Sequence, residues 1–283
     1  MDVDIDHLQG WIGREQSDSE ALSPTLVRQF NATFERRSGT GPGDVAPLLI
    51  HLCLAQPIVP MSEIGRDGHP ALGGFLPPVP LPRRMWAGGA FRFHDDIRIG
   101  ETVTRHSQIT DVRLKRGRSG ALCFVTVQHE VTADGRAVLS ERQDIVYRDI
   151  PAAGQGKSDP PAAPSGDHCR TLVPHPTLLF RYSALTFNGH RIHYDRPYVM
   201  DVEGYPGLVV HGPLIATLLL DHAMESRPGS HPVQFSFRAM SPAFDGNLLT
   251  LHAGNAESDG TMRLMATNHE GGLVMSAEAR FAS

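Results

Sequence analysis

The sequence predicts an α+β fold built twice in one chain: a long antiparallel sheet wrapped round a central helix, then the same again. Three observations predict it. A helix-like apolar run followed by four strand-like runs occurs in each half of the chain. Between the halves lies PAAGQGKSDPPAAPSGDH, Pro151–His168, which has no large apolar side chain; it cannot bury a face and reads as a linker. At 283 residues the chain holds about two domains of ordinary size, each able to bury a core. The expected division is 1–150, a linker over 151–168, and 169–283.

Each element has a local reason. In the first half VAPLLIHLCL, Val45–Leu54, reads as a helix with Asp44 placed to cap it, since a short acidic side chain can accept from the first free amides. Four strands follow at Gly89–Phe93, Glu101–Leu114, Ala121–Thr132 and Ala137–Arg148. In the third of these, Val125, Val127, His129 and Val131 alternate with Phe124, Thr126, Gln128 and Glu130, the period of a half-buried strand. In the second half LLFRYSAL, Leu178–Leu185, reads as a strand, and GPLIATLLLDHAMES, Gly212–Ser226, as a helix. Pro213 suits a first helical turn, where its missing N–H costs nothing. Leu214, Ile215, Leu218, Leu219 and His222 form one face that Leu220 and Ala223 widen, so this helix is mostly buried. Turn signals then separate strands at Val233–Met240, Leu248–Ala256, Met262–Asn268 and Leu273–Phe281. Two such units can join edge to edge, which removes an exposed strand edge from each.

Composition narrows the function classes. With 40% apolar and 20% charged residues the chain is ordinary globular material, and a net charge of -5 lacks the basic footprint of a nucleic-acid binder. No run approaches the ~18 apolar residues of a membrane span; Leu214–Leu220 is stopped by Asp221. The start, MDVDID, is acidic where a secretory signal is basic and then apolar. Cys53, Cys123 and Cys169 are odd in number and far apart, neither a disulfide framework nor a zinc knuckle. The expected setting is the cytoplasm, without membrane or nucleic-acid partners.

The chemistry concentrates in FRYSALTFNGHRIHYDRPYVMDVEGYPGLVVH, Phe180–His211, where Asn188, His190, Arg191, His193 and Asp195 crowd into eight residues. The stretches LTFNGHRIHYD and GYPGLVVHGPL resemble the (R)-specific enoyl-CoA hydratases, also called MaoC-like or hydratase type 2, which have a hot-dog fold. Laid on that family's motif, Leu185, Thr186 and Ile192 take the leucine, serine and apolar positions. His193 takes the catalytic histidine, Asp195 the trailing aspartate and Gly212 the helix-opening glycine. Asn188 stands where the family has its catalytic aspartate, and His190-Arg191 where it has Asn-Pro. That spelling, with GGFLPPVPLPRRMWAGG at Gly73–Gly89, is closer to the long double hot-dog subgroup of 3-hydroxyacyl-thioester dehydratase type 2 and mesaconyl-C4-CoA hydratase.

The resemblance implies a hydratase or dehydratase acting on an acyl-CoA thioester, with no metal or redox cofactor. Hydration adds water across C2 and C3 of a 2-enoyl thioester, and charge builds on the thioester oxygen. The amide of Gly212 at a helix N-terminus would stabilise it. His193, with an ordinary pKa near neutrality, would move protons in both steps, because Asn188 cannot carry one and could only position water. Asp195 lies on the same side as His193 if the segment is extended, and about 160° away if it is helical. Arg191, Asp195, Arg84 and His211 are the candidate substrate contacts; Arg84 suits the free carboxylate of a dicarboxylic acyl group. The hairpin RLKRGRS, Arg113–Ser119, could hold CoA phosphates. His190, His193 and Asp195 could imitate a metal site but lack a fourth ligand. The first half, without an Asn/His cluster, is expected to shape the acyl pocket, and a homodimer is the assembly to look for. Two alternatives remain: a hot-dog thioesterase, and a non-catalytic acyl-CoA-binding assembly subunit.

Overall fold

The computed structural model describes residues 3–117, 120–149 and 168–282. In chain order the regular elements of the first half are α1 (Ile5–Gln9), β1 (Glu15–Ala21), α2 (Pro24–Phe34), β2 (Arg83–Phe93), β3 (Thr102–Gly117), β4 (Gly120–Ala133) and β5 (Arg136–Arg148). The second half has β6 (His168–Leu172), α3 (Pro176–Leu185), α4 (Gly212–Ser226), β7 (Pro232–Ala239), β8 (Leu249–Ala253), β9 (Thr261–Thr267) and β10 (Leu273–Phe281). The linker reading falls outside the described residues except for His168, which opens β6, and the tip of the basic hairpin falls outside them too.

All ten strands form one antiparallel sheet in the order β1-β3-β4-β5-β2-β7-β10-β9-β8-β6. The edge-to-edge junction is β2 against β7, paired from Gly88–Arg238 to Arg92–Gln234. Glycine is needed on this seam: a Cβ on Gly88 would stand 2.8 Å from the Phe237 carbonyl oxygen, and one on Gly89 2.9 Å from that of Arg142. On the inner face Phe91, Phe235 and Phe237 stack across the junction at 6.2 Å between ring centres. One apolar core therefore runs through both halves.

Helix α4 sits in that core as its sequence predicts. Leu214, Leu219, Leu220 and Ala223 are wholly buried, and the helix packs on β7 to β10 and reaches β2. Beside it lie α2 and α3. Ser23 caps α2 by accepting from the Leu26 amide at 3.1 Å, and Glu35 ends it in a left-handed conformation. Phe34 meets Tyr182 of α3 edge-on, and Arg36 pairs with Asp221 of α4. A second, smaller core lies on the other face of β3 to β5, under α1 and the Pro-rich segment at Val79 and Leu81. No helix of the described residues is long and apolar enough to cross a membrane.

Two expected elements are corrected. Leu178–Leu185 is not a strand but belongs to α3, started by His175, which accepts from the Thr177 amide, and by Pro176 in the first turn. Its buried residues, Leu179, Tyr182 and Ser183, follow the helical i, i+3, i+4 spacing. The Val45–Leu54 helix is absent: only a 3₁₀ turn forms, at Ile50–Cys53, entered through Leu49 with φ +64°. Pro47 explains this, since it lacks an N–H and disfavours helical geometry at the residue before it. Val45 instead bridges to Arg98, and the Asp44 carboxylate accepts from the Gly41 amide. Among the described residues only the second half thus carries the expected central helix.

The seam makes a testable statement about stability. Gly88→Val should cost about 1–3 kcal/mol, the range for overpacking a tight contact, read as a lower urea midpoint in equilibrium unfolding.

Candidate active site

The site is assembled where α3 runs into the motif and the motif meets the start of α4. After α3, Phe187 takes φ +49° and turns the chain back, so that the Asn188 amide donates to Ser183 O at 2.8 Å. The Asn188 side-chain oxygen accepts from the His190 amide at 3.0 Å. That leaves its NH₂ group as the part free to meet a ligand. A single 3₁₀ turn, Arg191–His193, then carries His193 inward.

His193 is buried at 6% exposure and held by one hydrogen bond, Nδ1 to Val209 O at 2.7 Å. A carbonyl can only accept, so Nδ1 carries the hydrogen and the neutral ring keeps its lone pair on Nε2. His211, which caps α4, stacks on His193 with ring centres 3.6 Å apart and planes 18° from parallel. Its Nε2 meets Ser183 Oγ at 2.8 Å, while Nδ1 is buried without a protein partner. Gly212 opens α4 directly after it, and its amide is among those of the first turn with no intrahelical acceptor. The sequence-predicted His193, His211 and Gly212 are thus brought together, and Asn188 is tied to the start of the same turn through the His190 amide.

Arg191 and Asp195 are each other's partners. The guanidinium meets the carboxylate through Nε at 2.9 Å and NH2 at 2.8 Å, stacks over Tyr198 and donates to Arg66 O at 3.2 Å. The other Asp195 oxygen accepts from the Tyr198 amide. These two residues, expected as substrate contacts, pin the motif to its surroundings, and Asp195 takes no part in a metal-like group with His190 and His193.

The first half also reaches the motif. Its loop through Gly65–Pro70 docks on the motif: the Arg191 amide donates to Asp67 O at 2.9 Å, and Gly68 lies against Gly189 with no room for a side chain on either. This contact carries Asp67 and His69 in. His69 Nδ1 meets Asp67 Oδ2 at 3.0 Å, and the His69 ring stands 4.2 Å from that of His190, which stands 5.3 Å from that of His193. Arg84 of β2 approaches the same Asp67 oxygen at 3.5 Å, and its Nε is buried with no protein acceptor. Asp67, His69 and His190 do present ligand-type atoms within 4.8 Å of one another. However, the Arg84 cation already stands against the one carboxylate, so the group does not fit a metal ion.

Four imidazoles therefore run in a row, His69, His190, His193 and His211. Burial pushes His193 down to about 3, against the pull of Val209 O, with His69 adding to the depression. Burial also lowers His190 and His211 well below the ordinary histidine value, and their imidazole neighbours add to it. His69 is lowered by burial and by Arg84, while Asp67 opposes. Burial would raise Asp67, but His69 and Arg84 outweigh it and hold the carboxyl at about 2. At neutral pH the row is uncharged and the carboxylate is ionised.

A buried imidazole thus stands at the opening of the central helix, the arrangement that the hydratase resemblance implies, and the comparisons agree. Residues 49–245 match the family model for hydroxyacyl-thioester dehydratase type 2, and the chain belongs to that family. It is similar to mesaconyl-C(4)-CoA hydratase of Chloroflexus aurantiacus, 46% identical over 239 residues covering 83% of this chain and 84% of that one. The fold is similar to a MaoC-like dehydratase of Phytophthora capsici, with a TM-score of 0.70 at 15% identity over 99% of both chains. HtdX of Mycobacterium tuberculosis gives 0.66 at 20% identity, over 93% of this chain and 98% of that one. The expected double hot-dog is the fold. The protein is a carbon–oxygen lyase that adds water to an enoyl thioester or removes it from the 3-hydroxyacyl thioester.

The docking of the two halves is open to a direct check. Gly68 has φ +90° and a Cβ there would collide with the Gly189 carbonyl. Gly68→Ala should lower stability by about 1–3 kcal/mol and turnover by roughly 10²-fold through misplacement of the motif. Thermal unfolding and initial rates on the same preparation separate the two effects.

Proposed function

We propose that the substrate is a short dicarboxylic 2-enoyl-CoA of C4–C5 length, of the mesaconyl-C4-CoA or itaconyl-CoA kind, hydrated without a metal or redox cofactor. The observation that carries the residue assignment is the hydrogen bond from His193 Nδ1 to Val209 O, which fixes the tautomer and leaves Nε2 as an acceptor beside the start of α4. There His193 holds the attacking water by accepting one of its hydrogens. The Asn188 NH₂ group donates to that water's oxygen. The amide of Gly212, with the partial positive charge of the helix end, stabilises the charge that builds on the thioester oxygen.

Two observations support the acyl group. The relative with 46% identity is named for mesaconyl-C(4)-CoA, and Arg84 has an unpartnered buried Nε that a free carboxylate would satisfy in a charge-assisted bond. The reading goes with a reducing, cytoplasmic setting that keeps Cys53, Cys123 and Cys169 as thiols.

The test is loss of the enoyl-thioester absorbance with crotonyl-, mesaconyl- and itaconyl-CoA. Wild type should consume the double bond, and His193→Ala should be slower by roughly 10²–10⁴-fold. Thiol release with the double bond intact would mean a thioesterase, and binding without either change an assembly subunit. Arg84→Gln should cut the preference for mesaconyl- over crotonyl-CoA by about 10–100-fold, as the loss of one charged hydrogen-bond pair requires. Activity should survive dialysis against EDTA.

A further inference from the structure

The tautomer of His193 is fixed from outside the motif, and the fixing can be followed one step further. The ring is buried, and its hydrogen bond goes from Nδ1 to Val209 O at 2.7 Å. His211 stacks on it and His190 meets it edge-on, contacts that do not choose which nitrogen carries the hydrogen. The position of one carbonyl therefore decides whether Nε2 keeps the lone pair that faces the water. Val209 lies between Gly207 and α4, in a segment that makes only an isolated bridge, Val209 to Phe244.

Leu208, Val209 and Val210 are buried, so each of their amides needs a partner. Two find backbone carbonyls: the Val209 amide donates to Ile192 O at 3.0 Å and the Val210 amide to Ala243 O at 2.9 Å. The third depends on a side chain. The Leu208 amide donates to Asp245 Oδ1 at 2.8 Å, and the Asp245 amide donates back to Leu208 O at 2.9 Å. Both backbone polar groups of Leu208 thus end on Asp245. The other carboxylate oxygen, Oδ2, accepts from Arg196, just beyond His193 in the motif. The Asp245 side chain is 6% exposed, against 48% for Arg196. The fit is close, since a Cβ on Gly207 would stand 2.9 Å from Asp245 Oδ1.

We infer that Asp245, on the loop between β7 and β8, is a positioning residue for the reaction. It holds Leu208, and through Leu208 it holds the Val209 carbonyl where His193 donates its Nδ1 hydrogen. This rests on the reading above of His193 as the residue whose Nε2 meets the water. Asp245 itself is assigned no contact with the reacting atoms. Without its side chain the Leu208 amide is buried with no acceptor; the segment shifts to satisfy it, and Val209 O leaves the ring. His193 can then carry its hydrogen on Nε2, where it can no longer accept one from water. What matters is the oxygen that Leu208 meets, so an amide in place of the carboxylate serves.

The test compares Asp245→Ala with Asp245→Asn in the full-length protein, using mesaconyl- or crotonyl-CoA, whichever wild type hydrates faster. Asn keeps an oxygen for the Leu208 amide and Ala does not. Asp245→Ala should lower kcat by roughly 10²-fold, as misplacement of a catalytic group does. Its KM should change by less than about threefold, and Asp245→Asn should keep kcat within about fivefold of wild type. The second readout is the His193 tautomer, from the ring-nitrogen chemical shifts of histidine-labelled protein assigned against His193→Gln. Wild type and Asp245→Asn should show the hydrogen on Nδ1 alone, and Asp245→Ala should show it appearing on Nε2. A folded Asp245→Ala protein with unchanged His193 shifts would overturn the inference, because lost activity would then be ordinary destabilisation. An Asp245→Asn protein as slow as Asp245→Ala would overturn it too, because the ion pair with Arg196 would then be what matters. If Asp245→Ala does not fold, Gly207→Ala decides: its Cβ displaces the carboxylate from the Leu208 amide, and unmoved His193 shifts there would overturn the inference. Absence of hydration by wild type would instead remove the reading of His193, while the shifts still decide whether Asp245 sets its ring.

Discussion

The pairing of β2 with β7 is the constraint on which the rest depends. It makes one sheet of two halves, and it can do so only because Gly88 and Gly89 let two backbones and a layer of phenylalanine rings close up. Once the halves are joined in this register, β2 brings Trp86 against the opening of α4, where its carbonyl lies 3.6 Å from the place a Gly212 Cβ would take. The same strand brings Arg84 to Asp67. The imidazole row and its carboxylate are thus assembled at the junction, from groups of both halves.

The two halves differ within a common plan. The second keeps the long buried helix and puts a polar motif at its opening. The first has a 3₁₀ turn at Ile50–Cys53, entered through Leu49, and the segment between that turn and β2 is a loop that reaches across to the motif. Such a division suits a site that must hold an uncharged imidazole row in a dry environment and yet keep one ionised carboxylate. Packing around α4 supplies the dryness. A loop at the surface, braced by an arginine, supplies the charge without burying it in the shared core, where an unpaired carboxylate would be costly.

Much of this was legible in the sequence, for identifiable reasons. The alternation in Val125, Val127 and Val131 and the apolar face of α4 are strong periodic signals, and both elements form where the residues indicate. The motif at Asn188, His193 and Gly212 could be read because its members are close in sequence and its resemblance is specific. Three things were hidden. The run Leu178–Leu185 has no alternation, and only the Leu179, Tyr182, Ser183 spacing with Pro176 before it gives the helix away. Strand β1, EQSDSEA, is polar throughout, as suits an edge strand, and so carries no apolar period. Helix α2 did announce itself through Ser23, Pro24 and the spacing of Val27, Phe30 and Phe34, but lay outside the repeated pattern. Asp67 and His69 were invisible as a site because they lie more than a hundred residues from the motif; their D-x-H spacing in a glycine-rich loop was the one available hint.

The contact between Gly68 and Gly189 has a consequence for how such chains can be recombined. Two bare backbones meet there, so neither side presents a surface that a neighbour could adjust to by choosing another rotamer. The geometry is met as a whole or not at all. A chimera that takes its first half from one family member and its second from another must therefore carry the loop and the motif as a matched pair. Where it does not, the sheet can still close along β2 and β7 and the protein can still fold, while the two parts of the imidazole row stand out of line.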